Sequence, residues 1–140
     1  MFLRILLNSL IPPLKDYEKV LFDNLINKLA SKAGSQLAKQ IESINYVQRH
    51  ANKKEVTLYT IKNNKPFFNE KYQFFLNLPE VKLASIIFKD SVESENFHAD
   101  FWLVNGYIFS IEFDKSPSKI KNSNIDIKTI QVFVDPMKKE

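Results

Sequence analysis

The chain carries two histidines, His50 and His98, and no cysteine. His98 stands two residues before Asp100, and the alternation of a strand places both on one face. An imidazole beside a carboxylate is the base and its orienting group in a Ser/His/Asp system, which also needs a nucleophile within hydrogen-bond reach. Same-face neighbours on one strand lie about 6–7 Å apart. Neither residue adjoins a glycine-rich elbow or an evident nucleophile. The plainer expectation is a strand end whose polar groups meet solvent or cap a neighbour. A ribonuclease-type pairing of His50 with Glu112 would depend on the fold bringing distant positions together. The lack of cysteine removes thiol nucleophiles, thiolate metal sites and disulfides. There is no His-x-x-x-His pair and no calcium-loop spacing, and two isolated glycines cannot cradle a phosphate. The expectation is a non-enzymatic protein with no catalytic, cofactor-binding or metal-ligating residues and no cofactor.

Binding chemistry is better represented. Asp90, Glu93 and Glu95 cluster in one polar stretch, and Lys115, Lys119 and Lys121 in another. The first could meet a basic partner and the second an acidic one, so these six are the candidate partner-binding residues. Lys53, Lys54, Tyr59, Lys62 and Tyr72 form an alternative, a lysine–aromatic face on which single-stranded nucleic acid could stack. Tyr46, Phe67, Phe68, Phe74, Lys65 and Lys71 would extend it. In the plainer reading these aromatics fill the space between helices and sheet, and the lysines sit on outer turns. The net charge is +4, and only Arg4 and Arg49 are arginine. Arginine is the better bidentate reader of phosphate and guanine. The positive balance therefore points to composition and solubility, or to steering toward an acidic protein.

These side chains need a scaffold, and 140 residues suit a single domain. It divides into an N-terminal segment (1–13), a helical part (14–44) and a β-rich part (45–134). Residues 1–11 are apolar but too short to span a bilayer, which takes about 20. Arg4 interrupts them and Pro12-Pro13 follows in place of a cleavage site. They read as a buried segment of a cytoplasmic protein without stable membrane insertion. Leu14, Tyr17, Leu21, Leu25 and Leu29 fall three to four apart, which predicts an amphipathic helix of about five turns. Gly34 is its expected stop and Ser35 the N-cap of a second helix, unless one helix continues with a soft point at Gly34. Residues 45–50 and 55–61 read as a hairpin around polar 51–54, and residues 63–66 as a turn. Residues 67–78 are expected to be extended, 81–88 a strand and 89–96 a polar loop. A last strand is expected at 129–134, ahead of a solvated tail at 137–140.

Asn105-Gly106 is the strongest local signal, because this dipeptide favours a two-residue type I′ turn. It predicts a central hairpin in which Val104 faces Tyr107, Leu103 faces Ile108, Trp102 faces Phe109 and Asp100 faces Ile111. Of its two faces, the one with His98, Asp100, Trp102, Val104, Tyr107, Phe109, Ile111 and Phe113 is the expected core side. The fold class predicted is α+β, with N-terminal helices on one face of a mostly antiparallel sheet of five or six strands.

The segment Phe101-Trp102-Leu103-Val104-Asn105-Gly106-Tyr107-Ile108-Phe109-Ser110-Ile111-Glu112-Phe113, followed by Pro117, resembles a hairpin of small bacterial immunity proteins from polymorphic-toxin and contact-dependent growth inhibition systems. It spans about an eighth of the chain and carries over no catalytic residue. The resemblance implies a cytoplasmic antitoxin that binds and neutralises a cognate toxin domain without a cofactor. Many immunity proteins to nucleases are acidic. The basic balance here departs from that pattern and argues against a basic nuclease cleft as target.

Overall fold

The computed structural model describes residues 13–136, so the expectations for residues 1–11 and for the tail at 137–140 lie outside the described residues. Helices α1 (Asp16–Lys28) and α2 (Ser31–Glu42) come first. The strands are β1 (Tyr46–Arg49), β2 (Glu55–Tyr59), β3 (Ile61–Lys62), β4 (Lys65–Pro66), β5 (Glu80–Asp90), β6 (Asn96–Val104), β7 (Tyr107–Phe113) and β8 (Ile125–Val132). Six of them form one sheet in the order β1-β2-β7-β6-β5-β8, and β3 and β4 form a separate ribbon. All paired neighbours are antiparallel. The architecture is α+β, and the β6–β7 hairpin is central in the sheet.

Tyr17, Leu21, Phe22 and Leu25 form the buried stripe of α1. That helix is shorter than its apolar spacing suggests, because Leu29 leaves it in extended backbone (ψ 157°) while its side chain stays buried. The chain then turns at Ala30 and α2 starts at once. Gly34 therefore neither stops α1 nor softens a continuous helix, and Ser35 caps nothing: both lie inside α2. The role of Gly34 is close approach. A Cβ there would sit 2.6 Å from the backbone oxygen of Ile26. Gly34→Ala gains about 1 kcal/mol of helix propensity but forces the two helices apart. We expect a net loss of about 1–2 kcal/mol, read as a lower urea midpoint. A higher midpoint would show that the helices separate freely.

The Asn105-Gly106 turn forms as predicted, with φ of 50° and 83°. Val104 faces Tyr107 and Leu103 faces Ile108, and then the register changes. Trp102 faces Ser110, Phe101 faces Ile111 and Asp100 faces Glu112, leaving Phe109 as an extra residue, a β-bulge. The expected core face is corrected accordingly. Phe97, Ala99, Phe101 and Leu103 of β6 point inward, while His98, Asp100, Trp102 and Val104 point outward. The bulge lets β7 follow, turning Ile108, Ile111 and Phe113 into the core. Phe22 meets Phe101 edge-on at 5.4 Å, and Phe88 stacks on Phe97 at 5.2 Å. The last strand starts earlier than expected, at Ile125, because Ile125, Ile127, Ile130 and Val132 all turn toward that core.

One ion pair lies within the helix–sheet layer. Glu18 of α1 is fully buried, and Arg49 of β1 donates to both its oxygens, at 2.5 and 2.7 Å. Arg49 also donates to the Pro13 carbonyl at 3.2 Å, and Glu18 accepts the Lys15 amide at 2.7 Å. Burial and the neighbouring Glu18 carboxylate push the Tyr17 hydroxyl up to about 12.

Candidate protein-binding surface

Residues 67–78 carry little regular structure. The expected extended segment is a loop with one 3-10 turn at Glu70–Tyr72, capped by Asn69. Its shape comes from the two elements it bridges. Asn63 and Asn64 both take positive φ and close the β3–β4 ribbon, which delivers Phe67 beside Thr60. Further on, the Phe74 amide donates to the Gly106 carbonyl at 2.9 Å while the Phe74 ring is buried. Gly106 must be glycine at this spot, since a Cβ would lie 2.3 Å from the Phe74 oxygen. From α2, Gln36 donates to the Tyr72 and Gln73 carbonyls. Gln40 donates to the Tyr72 and Gly106 carbonyls and accepts the Ile108 amide.

The loop is thus held by its backbone, while most of its large apolar side chains face outward. Phe67, Phe68, Phe75 and Leu78 are 41%, 57%, 63% and 60% exposed, four of the seven large apolar side chains so exposed among the described residues. The reading in which the aromatics of this stretch fill the interior holds for Phe74 and fails for Phe67 and Phe68. Single exposed apolar residues are ordinary, but several gathered in one place mark an interaction surface. Phe67, Phe68 and Tyr72 wall a pocket of about 140 Å³ over Ile44, Leu58 and Ile108. That volume is below the range of small-molecule sites, roughly 300–1,000 Å³, and suits one apolar side chain.

Of the nucleic-acid candidates, Tyr59 and Tyr72 line this pocket and Lys62 lies over its Phe67, whereas Lys53 and Lys54 lie apart from them. Lys53 and Lys54 lie at the turn before β2, and Tyr59 closes its other end, about 17 Å from Lys54 along the strand. Several of the rings also have a cation or another ring against them. Lys62 sits 4.8 Å over Phe67, and Lys71 5.6 Å over Tyr72. Tyr59 meets Tyr46 and Phe109 edge-on, each at 6.0 Å. The acidic and lysine-rich loops, in contrast, come together. Asp90 is buried and turns inward, accepting the Val92 and Glu93 amides of its own turn. Glu95 pairs with Lys115 at 3.6 Å, and Glu93, Lys119 and Lys121 are exposed. The two loops form a single edge of mixed charge, and Lys115 covers the Phe97 ring at 5.2 Å.

On the outer sheet face, side-chain reach closes the backbone gap between His98 and Asp100: His98 Nε2 donates to Asp100 Oδ1 at 2.8 Å. Ser85 also donates to Asp100 Oδ1, and Lys82 approaches Oδ2 at 3.4 Å. The carboxylate is the hub. A serine relay needs the imidazole between serine and carboxylate, whereas here serine and histidine meet the carboxylate separately. His50 bonds Thr57 at 3.1 Å. Among the described residues no group of three or more His, Asp or Glu is placed to hold a metal ion. No helix among them is long and apolar enough to cross a membrane.

Burial raises the Asp100 pKa, but hydrogen bonds from Ser85 and His98, with the electrostatic pull of His98 and Lys82, outweigh it and hold the carboxyl below its usual value. A depressed carboxylate stabilises the fold above its unfolded pKa, about 3.9, and that stability is lost as pH falls through the folded value. Asp100→Asn is therefore expected to cost about 1 kcal/mol at neutral pH, with the deficit shrinking below about pH 4. Urea midpoints across the acid range check this; a deficit independent of pH would refute it. Comparison of the chain with protein-family models, curated proteins and solved structures finds no match.

Proposed function

We propose that this protein is a non-enzymatic, cytoplasmic binding domain that acts as the immunity partner of a bacterial toxin domain. Exposed Phe67 and Phe68 in the wall of a side-chain-sized pocket, with exposed Phe75 and Leu78 further along the same loop, carry the protein-binding part of this reading. Binding energy in protein interfaces concentrates in a few aromatic anchors seated in pockets. The loop that presents them is fixed by the Gln36 and Gln40 side chains of α2 and by the backbone of the β6–β7 turn, which lowers the ordering cost of association. The toxin as partner rests on the resemblance of the 101–117 hairpin to immunity proteins. The net charge of +4 disfavours a toxin whose own cleft is basic. Single-stranded nucleic acid is less well supported, because the candidate rings already have lysines or other rings against them.

The test is co-expression of the tagged chain with its neighbouring reading frames, followed by purification in high salt. A stoichiometric protein whose toxicity the chain suppresses is the expected result. Phe67→Ser with Phe68→Ser should release that protein while leaving the far-UV spectrum unchanged. Nucleic acid that washes away as salt rises would replace this reading with the alternative.

A further inference from the structure

The apolar pocket does not stand alone. A shallow groove lined by Lys32, Gln36, Lys39 and Lys71 adjoins it, and Tyr72 lines both. Lys39 pairs with Glu42 at 3.5 Å, while Lys32 and Lys71 are exposed. Lys62 lies over Phe67 of the pocket lining, and Lys65 precedes Pro66 of the same lining. Around pocket and groove the chain thus sets five lysines against Glu42 and Glu70.

We propose that this site takes an acidic polypeptide segment, with one bulky apolar side chain in the pocket and flanking carboxylates along the lysine groove. The inference rests on the protein-binding reading and specifies the chemistry of the partner. Apolar burial supplies affinity, and the local positive field supplies orientation and speed of encounter. A polyanion such as RNA would also feel the lysines. It would need open ring faces for its bases, and Lys62 and Lys71 each take one face of Phe67 and Tyr72.

A display library of random dodecapeptides panned on the immobilised full chain tests this. Enriched peptides, made with a fluorescent label, are titrated by anisotropy beside labelled oligothymidylate. The expected consensus is one large apolar residue flanked by Asp or Glu. Binding should weaken about tenfold in Lys32→Glu with Lys71→Glu, both exposed positions, and be lost when the peptide anchor becomes Ala. Enriched peptides without acidic flanks, or indifferent to the charge reversal, would overturn the acidic specificity and leave the protein-binding reading standing. No enrichment, or oligothymidylate binding more tightly than any peptide, would overturn both.

Discussion

Arg49→Ala is expected to destabilise the fold by about 3–5 kcal/mol. The guanidinium holds both oxygens of Glu18, and Glu18 has no exposed surface. Removing the cation leaves a carboxylate in the helix–sheet layer with the Lys15 amide and the Tyr17 hydroxyl against it and no compensating charge. The same change releases the Pro13 carbonyl at the start of α1. Domains of this size are stable by about 5–15 kcal/mol, so the variant should sit near the edge of folding. Arg49→Lys should recover only part, because an ammonium cannot reproduce the two-pronged contact. Replacing both partners by Met should recover most of the loss, since the penalty comes from an unpaired buried charge and not from the absence of the pair. Urea unfolding of the set, analysed by linear extrapolation, gives the comparison. An Arg49→Ala variant within about 1 kcal/mol of the parent would mean that water reaches Glu18 and screens it.

The sequence patterns that proved readable are those with one local cause. The helical spacing of Tyr17, Leu21 and Leu25 and the Asn105-Gly106 turn each define an element without reference to anything distant. The misreadings have non-local causes. Gly34 looks like a helix stop until Ile26 of the other helix is placed 2.6 Å from where its Cβ would be. The turn alone predicts an unbroken hairpin register, and one bulge at Phe109 shifts every pair beyond it. A one-residue slip exchanges the two faces of a strand, which is why Ile111 and Phe113 lie inward while His98 and Asp100 lie outward. The face of β6 without a charge, with Ala99, Phe101 and Leu103, was the better guide than the total apolar count.

The binding surface was only half legible. The aromatics of residues 67–78 were visible as a cluster, but the stretch has no period of two or 3.6 to say which of them turn inward. Phe74 does so because its amide bonds Gly106, a partner 32 residues away. Nor could sequence bring Glu95 to Lys115, whose pairing makes one mixed edge of two loops that read as separate partners' sites. The pocket itself is framed from α2, and the residue responsible, Gln40, has no signature in a helix whose other polar residues are mostly solvated.

Gln40 is the position at which fold and binding surface meet, and Gln40→Leu should show both effects. The side chain is 5% exposed and uses donor and acceptor alike. Its Oε1 accepts the Ile108 amide at 2.8 Å, and its Nε2 donates to Gly106 at 3.0 Å and to Tyr72 at 2.5 Å. The β2–β7 ladder ends at Thr57 and Ser110, and Gln40 takes over where strand pairing stops. Leucine conserves volume, so little of the loss should come from packing. Gly106 keeps the Phe74 amide and Tyr72 keeps Gln36. The Ile108 amide loses its side-chain acceptor. A buried donor left unsatisfied costs about 1–3 kcal/mol, and each lost hydrogen bond about 1 more, so the expected total is about 3 kcal/mol. Gln40→Glu keeps the acceptor but turns a carboxylate toward two carbonyls, and should do no better. Urea midpoints give the energy, and hydrogen exchange locates it: the Ile108 and Phe74 amides should lose protection ahead of the core amides of β6. If Gln40→Leu costs less than about 1 kcal/mol, the bond between Phe74 and Gly106 is enough to hold the pocket wall without help from α2. If it costs the full amount, the wall depends on a helix outside the sheet, and a partner binding there would also stabilise the packing of α2.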